Sequence, residues 1–146
     1  MNKAKKILIM GLPGAGKTYL ANILHKIIDA VWINADKVRS EANDWDFSLE
    51  GRKIQANRMK NLANNALNKN KHVIADFVCP TPQTREDFDA DFIIWMDTIK
   101  KGRFDDTNKM FIEPKRYDYR VTEKNAELIA IQIAKKINEK KRNKIE

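Results

Sequence analysis

The stretch Gly11-Leu12-Pro13-Gly14-Ala15-Gly16-Lys17-Thr18 decides the fold of this chain. It fits the pattern G-x-x-x-x-G-K-[ST], in which glycines let the backbone amides turn toward a phosphate. The apolar run from Lys6 to Met10 before it is typical of a buried parallel strand. The residues from Lys17 to Ile28 after it have the apolar spacing of an amphipathic helix. Strand, glycine turn and helix in this order predict a phosphate-binding P-loop.

The P-loop pattern also predicts what its polar side chains bind. The amino end of the following helix adds a partial positive charge. We expect Lys17 to reach the β- and γ-phosphates of ATP, and the Thr18 hydroxyl to bind Mg²⁺. ATP and Mg²⁺ are therefore the predicted cofactors. The predicted nucleotide-binding residues are Gly11, Leu12, Pro13, Gly14, Ala15, Gly16, Lys17, Thr18 and Tyr19.

Composition limits the remaining possibilities. A length of 146 residues predicts a single domain over residues 1–146. The 28 lysine and arginine residues exceed the 20 acidic ones, and the net charge of +8 favours a polyanionic partner. One cysteine and two histidines exclude an intrachain disulfide and a zinc cluster of cysteines and histidines. No apolar run approaches the ~18 residues of a membrane span and no signal peptide is evident, so we expect a cytoplasmic protein.

Strand-like and helix-like segments alternate along the chain. Further strands are predicted at 31–34, 71–76, 91–96 and 119–121. Helices are predicted over about 49–68, with Ser48 as N-cap, over 84–88 and over 123–144, whereas 97–118 is predicted to be irregular. This alternation predicts an α/β fold, a P-loop NTPase three-layer sandwich of about five mostly parallel strands with helices on both faces. Ligands of such sheets bind at the carboxyl ends of the strands.

Three acidic residues, Asp36, Asp76 and Asp97, fall at those strand ends. A carboxylate at Asp36 can accept a hydrogen bond from an acceptor hydroxyl and take its proton during phosphoryl transfer. The alternative is that Asp36 is the N-cap of a helix over 37–42. Asp76 ends a strand of the Walker B type, where an Asp holds Mg²⁺, although it could instead begin a turn. The sequence leaves open which of Asp36 and Asp76 is the base.

Several segments resemble adenylylsulfate kinases and, more loosely, other P-loop kinases that act on nucleotides and polynucleotides. Residues 34–39, Asn-Ala-Asp-Lys-Val-Arg, look like the family segment D-G-D-N-V-R. Phe47-Ser48 with Arg52-Lys53 looks like its F-S-x-x-x-R-R-x-N run, and residues 77–80 look like its F-I-S-P. Phe104 falls where the family has its second adenine-stacking phenylalanine. The resemblance covers roughly residues 5–121.

The resemblance implies roles on the acceptor side of the site. Asp36 corresponds to the acceptor-binding acid, Phe47 and Phe104 would hold a base between them, and Arg39 and Arg52 would hold the acceptor's anionic part. The implied acceptor-binding residues are Asp36, Arg39, Phe47, Arg52, Gln55, Phe77, Val78 and Phe104. The alternative is that both phenylalanines belong to the core.

The chain also departs from this family. Gln55 stands where the family has Asn, and Asn34 replaces its first Asp. Only six residues separate Asp97 from Phe104, where adenylylsulfate kinases have a longer, charged helical lid. Loss of such a lid leaves an open site, which suits a large acceptor. Basic residues interleaved with aromatic ones over 104–120 fit a nucleic-acid groove, although an ordinary polar loop is the alternative.

Together these features favour an ATP-dependent kinase that phosphorylates a hydroxyl within nucleic acid. The expected acceptor is a hydroxymethylated pyrimidine in DNA, as in phage-type DNA kinases, or a polynucleotide 5′-hydroxyl. One alternative is an adenylylsulfate 3′-kinase, with a small nucleotide as acceptor. Another is a nucleotide-binding module without transferase activity. The oligomeric state is left open.

Overall fold

A computed structural model describes the backbone of residues 3–145 and the side chains of residues 3–140. Within this part of the chain, five strands form one sheet in the order β2-β3-β1-β4-β5. The strands are β1 (Lys6–Met10), β2 (Val31–Asn34), β3 (Val73–Asp76), β4 (Phe92–Met96) and β5 (Tyr119–Val121). All four pairings are parallel.

Helices connect the strands and cover both faces of the sheet. They are α1 (Lys17–Ile27), α2 (Ala35–Ala42), α3 (Leu49–Asn68), α4 (Pro82–Phe88), α5 (Asp105–Met110) and α6 (Ala126–Ile145). No helix in residues 3–145 is both long enough and apolar enough to cross a membrane.

Two apolar clusters, one on each face of the sheet, make up the core. Side chains alternate between the two faces along a strand. In β1, Ile7 and Ile9 pack with α1 and α6, whereas Leu8 and Met10 pack with α3 and α4. The predicted three-layer arrangement of about five parallel strands with helices on both faces is therefore confirmed.

The ends of two helices illustrate how local sequence sets their bounds. The Ser48 hydroxyl accepts a hydrogen bond from the Gly51 amide at 3.1 Å, which confirms the predicted N-cap of α3. Helix α4 begins at Pro82, two residues before the predicted start, with Thr81 as N-cap. Proline has no amide N–H, and it fits the first helical position because an N–H there would have no acceptor within the helix.

The prediction of irregular structure over 97–118 is wrong for one segment. Helix α5 occupies Asp105–Met110 and buries only Thr107. A helix is recognised in a sequence by apolar residues that recur at helical spacing. Six residues with only one buried side chain contain no such repeat, so the sequence carries no periodic signal for this helix. Its charges do favour a helix, since Asp105 and Asp106 lie in the first turn and Lys109 in the last.

Parallel pairing brings the carboxyl ends of β1, β2 and β3 to one edge of the sheet. Asp76 lies opposite Ile9 of β1 and opposite Asn34 of β2. The loop from Gly11 to Gly16 follows β1 at the same edge. Residues far apart in sequence are therefore neighbours at this edge.

Candidate active site

The P-loop turns sharply between β1 and α1. Gly11 has φ +151° and Gly16 has φ +100°, conformations that L side chains rarely adopt. A Cβ atom at Gly11 would also lie 2.7 Å from the carbonyl oxygen of Met96. The glycines of the motif are therefore required by the backbone path.

The Lys17 side chain folds back onto this loop. It is buried, and Nζ donates hydrogen bonds to the carbonyl oxygens of Gly11 and Leu12, both at 2.9 Å. Burial lowers the pKa of Lys17 to about 8, while the negative charges of Asp76 and Asp36 oppose the shift. The ammonium group remains mostly protonated at neutral pH and lies at the start of α1.

Asp76 is the centre of a buried hydrogen-bond cluster at the end of β3. Its carboxylate accepts hydrogen bonds from Trp32 Nε1 at 2.6 Å, from Asn34 Nδ2 at 3.2 Å and from the Thr18 hydroxyl at 3.4 Å. Burial raises the pKa of Asp76, and the bonds from Trp32 and Asn34 oppose that rise. Sequence reasoning missed Trp32, whose partner lies on a different strand.

The Thr18 and Asp76 oxygens fit a magnesium ion. Mg²⁺ prefers oxygen ligands and is bound in proteins by one or two carboxylates together with substrate phosphates and water. The hydroxyl and the carboxylate lie 3.4 Å apart beside the P-loop. Within the described residues there is no cluster of three or more His, Cys, Asp or Glu side chains able to hold a metal. The donor set therefore fits an ion that arrives with a phosphate.

Asp36 lies in the first turn of α2 and is exposed. The N-cap of this helix is Asn34, whose side chain accepts a hydrogen bond from the Lys37 amide at 3.0 Å. The alternative interpretation of Asp36 as the cap of a helix over 37–42 is therefore wrong. Because Asn34 caps α2, the Asp36 carboxylate has no capping role. Asp36 instead lies in the wall of the main cavity.

The main cavity has a volume of about 990 Å³ and extends from the P-loop to α5. Lys17, Thr18, Asp36 and Asp76 lie in its wall. The other predicted residues in the wall are Pro13, Gly14, Gly16, Phe47, Arg52, Phe77, Val78 and Phe104. The structure thus places most of the predicted nucleotide-binding and acceptor-binding residues around one cavity.

Both phenylalanines that could have been core residues are exposed. Phe47 is 48% exposed and Phe104 is 52% exposed, so the core alternative is wrong for both. Arg52 also faces the cavity and links its walls, because it donates to the Phe47 carbonyl at 3.0 Å and to the Thr107 hydroxyl at 2.6 Å. Phe77 is largely buried in the same wall.

Arg39 and Gln55 are placed differently, since both are 4% exposed and absent from the wall of the main cavity. Arg39 Nη1 donates to the carbonyl oxygens of Asp44 and Asp46, at 3.0 and 3.2 Å. Gln55 Nε2 donates to the carbonyl oxygen of Ala35 at 3.0 Å. Both border a smaller cavity of about 80 Å³ next to the main one. Their contacts are those of residues that position the wall.

Asp97, Lys100 and Arg120 lie outside the wall of the main cavity, whereas Arg103 lies in it. Asp97 is buried and accepts hydrogen bonds from Lys100 Nζ at 3.2 Å and from Arg120 Nε at 2.9 Å. The ring of Tyr117 packs 5.5 Å from that of Trp95. Part of the basic and aromatic pattern over 104–120 is therefore explained by contacts within the protein.

Residues 43–48, which we call the 43–48 segment, are held by a dense set of hydrogen bonds. The Asp44 carboxylate accepts from Arg58 Nη2 at 2.6 Å and from the Asp46 amide at 3.1 Å. A Cβ atom at residue 51 would lie 2.2 Å from the Asp46 carbonyl oxygen, so Gly51 is needed for this close approach. The segment also places Trp45 in the cavity wall, a residue that sequence reasoning missed. Its one signal is a tryptophan in a polar stretch.

The contacts of Arg39 predict a specific result for its replacement. Arg39→Ala leaves two carbonyl oxygens without their charged donor, so the free energy of unfolding without ligand should fall by about 1.5–3 kcal/mol. Arg39→Lys should lose part of this, because lysine lacks the planar fork of donors. Chemical denaturation measures both. Unchanged stability of Arg39→Ala would instead favour direct contact of Arg39 with an acceptor.

Comparisons with known proteins agree with this fold. Residues 7–92, more than half of the chain, match the family model described as AAA domain. No curated protein matches the chain. The structure is similar to an APS kinase of Mycobacterium tuberculosis in complex with AMPPNP and APS, with a TM-score of 0.76, 16% identity, and coverage of 94% of this chain and 99% of that one.

Two other kinases show the same similarity of fold. A gluconokinase from Sinorhizobium meliloti has a TM-score of 0.70 and 11% identity, covering 98% of this chain and 97% of its own. A shikimate kinase from Acinetobacter baumannii, in complex with shikimate, has a TM-score of 0.62 and 16% identity, covering 94% and 95%. At these identities the similarity establishes the fold, which is that of P-loop kinases.

Proposed function

Because this chain belongs to the AAA domain family and has the fold of P-loop kinases, we propose that it is an ATP-dependent phosphotransferase that acts on a hydroxyl group. One observation carries the proposal. Lys17, the Thr18–Asp76 pair and Asp36 surround one end of a cavity whose other walls carry exposed aromatic and cationic side chains. A phosphate donor and an acceptor containing a base can thus meet in one site.

A second cavity suits the base of the donor. It has a volume of about 290 Å³ and shares Gly16 with the main cavity. Tyr19 lines it from α1, and its hydroxyl donates to Glu127 of α6 at 3.0 Å. ATP bound with its phosphates in the P-loop would place its base here, which is consistent with the prediction of Tyr19 as a nucleotide-binding residue.

The proposed reaction assigns a role to each polar group. Lys17 and the loop amides stabilise the charge that develops on the phosphate oxygens. When bound, Mg²⁺ neutralises phosphate charge, and Thr18 and Asp76 would hold it. Asp36 accepts the proton of the acceptor hydroxyl while that oxygen attacks the γ-phosphorus and ADP leaves.

Nucleic acid is the acceptor that we favour. The net charge of +8 favours a polyanion as partner. In addition, only residues 97–104 connect β4 to α5, so no lid helix covers the site between these two elements. Arg52 and Arg103 lie in the cavity wall, where they could meet phosphates. A hydroxymethylated pyrimidine flipped out of DNA would supply both a ring and a hydroxyl, and a polynucleotide 5′-hydroxyl would supply the same chemistry.

Adenylylsulfate is the second candidate acceptor, favoured by one observation. Phe47, Arg52, Phe77 and Phe104, which carry the resemblance to adenylylsulfate kinases, lie around one cavity. The position of Arg39 counts against it, because Nη1 donates to two carbonyl oxygens and the side chain borders the smaller cavity rather than the main one. A nucleotide-binding module without transfer would leave the exposed carboxylate of Asp36 without a role.

The acceptor can be identified by following the label from γ-labelled ATP. The panel contains DNA with hydroxymethylated pyrimidines, unmodified DNA with free 5′-hydroxyls, adenylylsulfate and free nucleosides, each with Lys17→Ala as control. We expect label in DNA, with an acceptor KM that rises steeply with salt, about 0.7–0.9 log units per log unit of salt for each phosphate contact. Saturable labelling of adenylylsulfate alone would establish the second candidate. ATP binding without transfer to any acceptor would leave only the binding module.

A further inference from the structure

The 43–48 segment presents two aromatic rings to the main cavity. Trp45 is 52% exposed and Phe47 is 48% exposed, and both lie in the cavity wall. Their ring centroids are 6.5 Å apart, within the range of aromatic contact. Large aromatic side chains that share one exposed surface mark a binding surface more often than single exposed residues do.

This exposure is built into the fold. Arg58 fixes the carboxylate of Asp44, and the buried guanidinium of Arg39 fixes the carbonyl oxygens on either side of Trp45. Arg39 also lies 4.3 Å from the centroid of the Phe47 ring. The backbone that carries both rings is thus ordered before any ligand binds, which reduces the entropy that binding must overcome.

The angle between the two rings indicates how many bases could stack on them in the cavity. Their planes are inclined by 42°, so a flat base that stacks on Phe47 is not parallel to the ring of Trp45. The cavity volume of about 990 Å³ lies at the upper end of the range of about 300–1,000 Å³ for ligand pockets. Two inclined rings in a cavity of this size match two bases better than one.

We propose that Trp45 stacks the base next to the acceptor nucleotide, so that the site takes an acceptor of at least two linked nucleotides. This proposal rests on the proposed function and names its substrate class. Stacking on an aromatic side chain contributes the same interaction for any base, because every base has a π-face. Trp45 therefore selects for the length of the acceptor rather than for its sequence.

Calorimetric titration with thymidylate, dithymidylate and trithymidylate tests this proposal. At about 0.3 M salt, where phosphate contacts are weakened, Kd should fall about 5- to 150-fold from one nucleotide to two, the equivalent of one stacked base. Trp45→Ala should lose this gain and leave Kd for one nucleotide within about twofold, and Trp45→Phe should keep part of the gain. Leu62→Ala is the control, since Leu62 is also exposed, on α3 outside the cavity wall.

The possible results separate this proposal from the proposed function. Three results would each overturn the role of Trp45. The first is a fall in Kd from one nucleotide to two that persists in Trp45→Ala, and the second is a loss of affinity in Trp45→Ala that is equal for one and two nucleotides. The third is the absence of any fall in Kd from one nucleotide to two in the unchanged protein. Transfer from γ-labelled ATP is measured in parallel on the same protein variants, with DNA that contains a hydroxymethylated pyrimidine and a free 5′-hydroxyl as the acceptor, because thymidylate offers neither group. Transfer without a two-nucleotide gain would refute only the inference about Trp45, whereas the gain without transfer would refute only the kinase reaction.

Discussion

Replacement of Lys17 by alanine is expected to remove phosphoryl transfer, with a loss in kcat of at least about 10²–10³-fold. Lys17 is the buried cation of the P-loop, and its Nζ lies 2.9 Å from two loop carbonyl oxygens. Without it, the charge that develops on the transferred phosphate loses its closest stabilising group. Steady-state kinetics with the acceptor identified from the panel measures this loss.

The fold should survive this change. Burial lowers the pKa of Lys17 to about 8, which means that the folded state disfavours its charge relative to the unfolded chain. The two hydrogen bonds from Nζ act in the opposite direction and stabilise the folded state. Because the two effects oppose each other, thermal unfolding of Lys17→Ala should stay close to that of the unchanged protein. Lys101→Ala, at an exposed lysine, is the matched control and should retain full activity. Undiminished transfer by Lys17→Ala would refute the P-loop mechanism.

Replacement of Asp36 by asparagine is expected to lower kcat by about 10²–10⁴-fold while ATP affinity stays nearly constant. Asparagine keeps the shape of the side chain but cannot take a proton from the acceptor hydroxyl. Because Asn34 caps α2, the change should not weaken the helix. Glu41→Gln, an exposed carboxylate on the same helix, is the control and should have no effect.

Asp76→Asn separates the two carboxylates. If Asp36→Asn is active and Asp76→Asn is inactive, then Asp76 is the base and the two roles are reversed. If Asp76 holds Mg²⁺, its variant should instead require a higher Mg²⁺ concentration for half-maximal rate. Full activity of both variants would refute the proposed site.

Local spacing was sufficient to predict much of the fold. The apolar run of β1, the glycines after it and the periodic apolar face of α1 are all properties of consecutive residues, and each is confirmed. The Ser48 cap of α3 is equally local. Helix α5 was missed because its six residues bury only one side chain and so lack any period.

Side chains whose partners lie far away in sequence were less predictable. Arg39 matches a family position for acceptor binding, yet its guanidinium bonds to backbone carbonyl oxygens five and seven residues later. Whether an arginine faces a cavity or a carbonyl depends on how the chain folds back upon itself. The same holds for Trp45, whose exposure follows from the path of the 43–48 segment.

The sequence by itself determined the P-loop, the parallel α/β sheet and the presence of carboxylates at its ligand-binding edge, because each depends on short-range patterns of glycines, apolar residues and charges. Only the tertiary structure decided that Asn34 rather than Asp36 caps α2, and that Trp32 and Asn34 hold Asp76 beside Thr18. These choices depend on the register between β2 and β3, which places Asn34 opposite Asp76 across 42 residues of chain. Strand pairing, rather than any local motif, thus assembled the site.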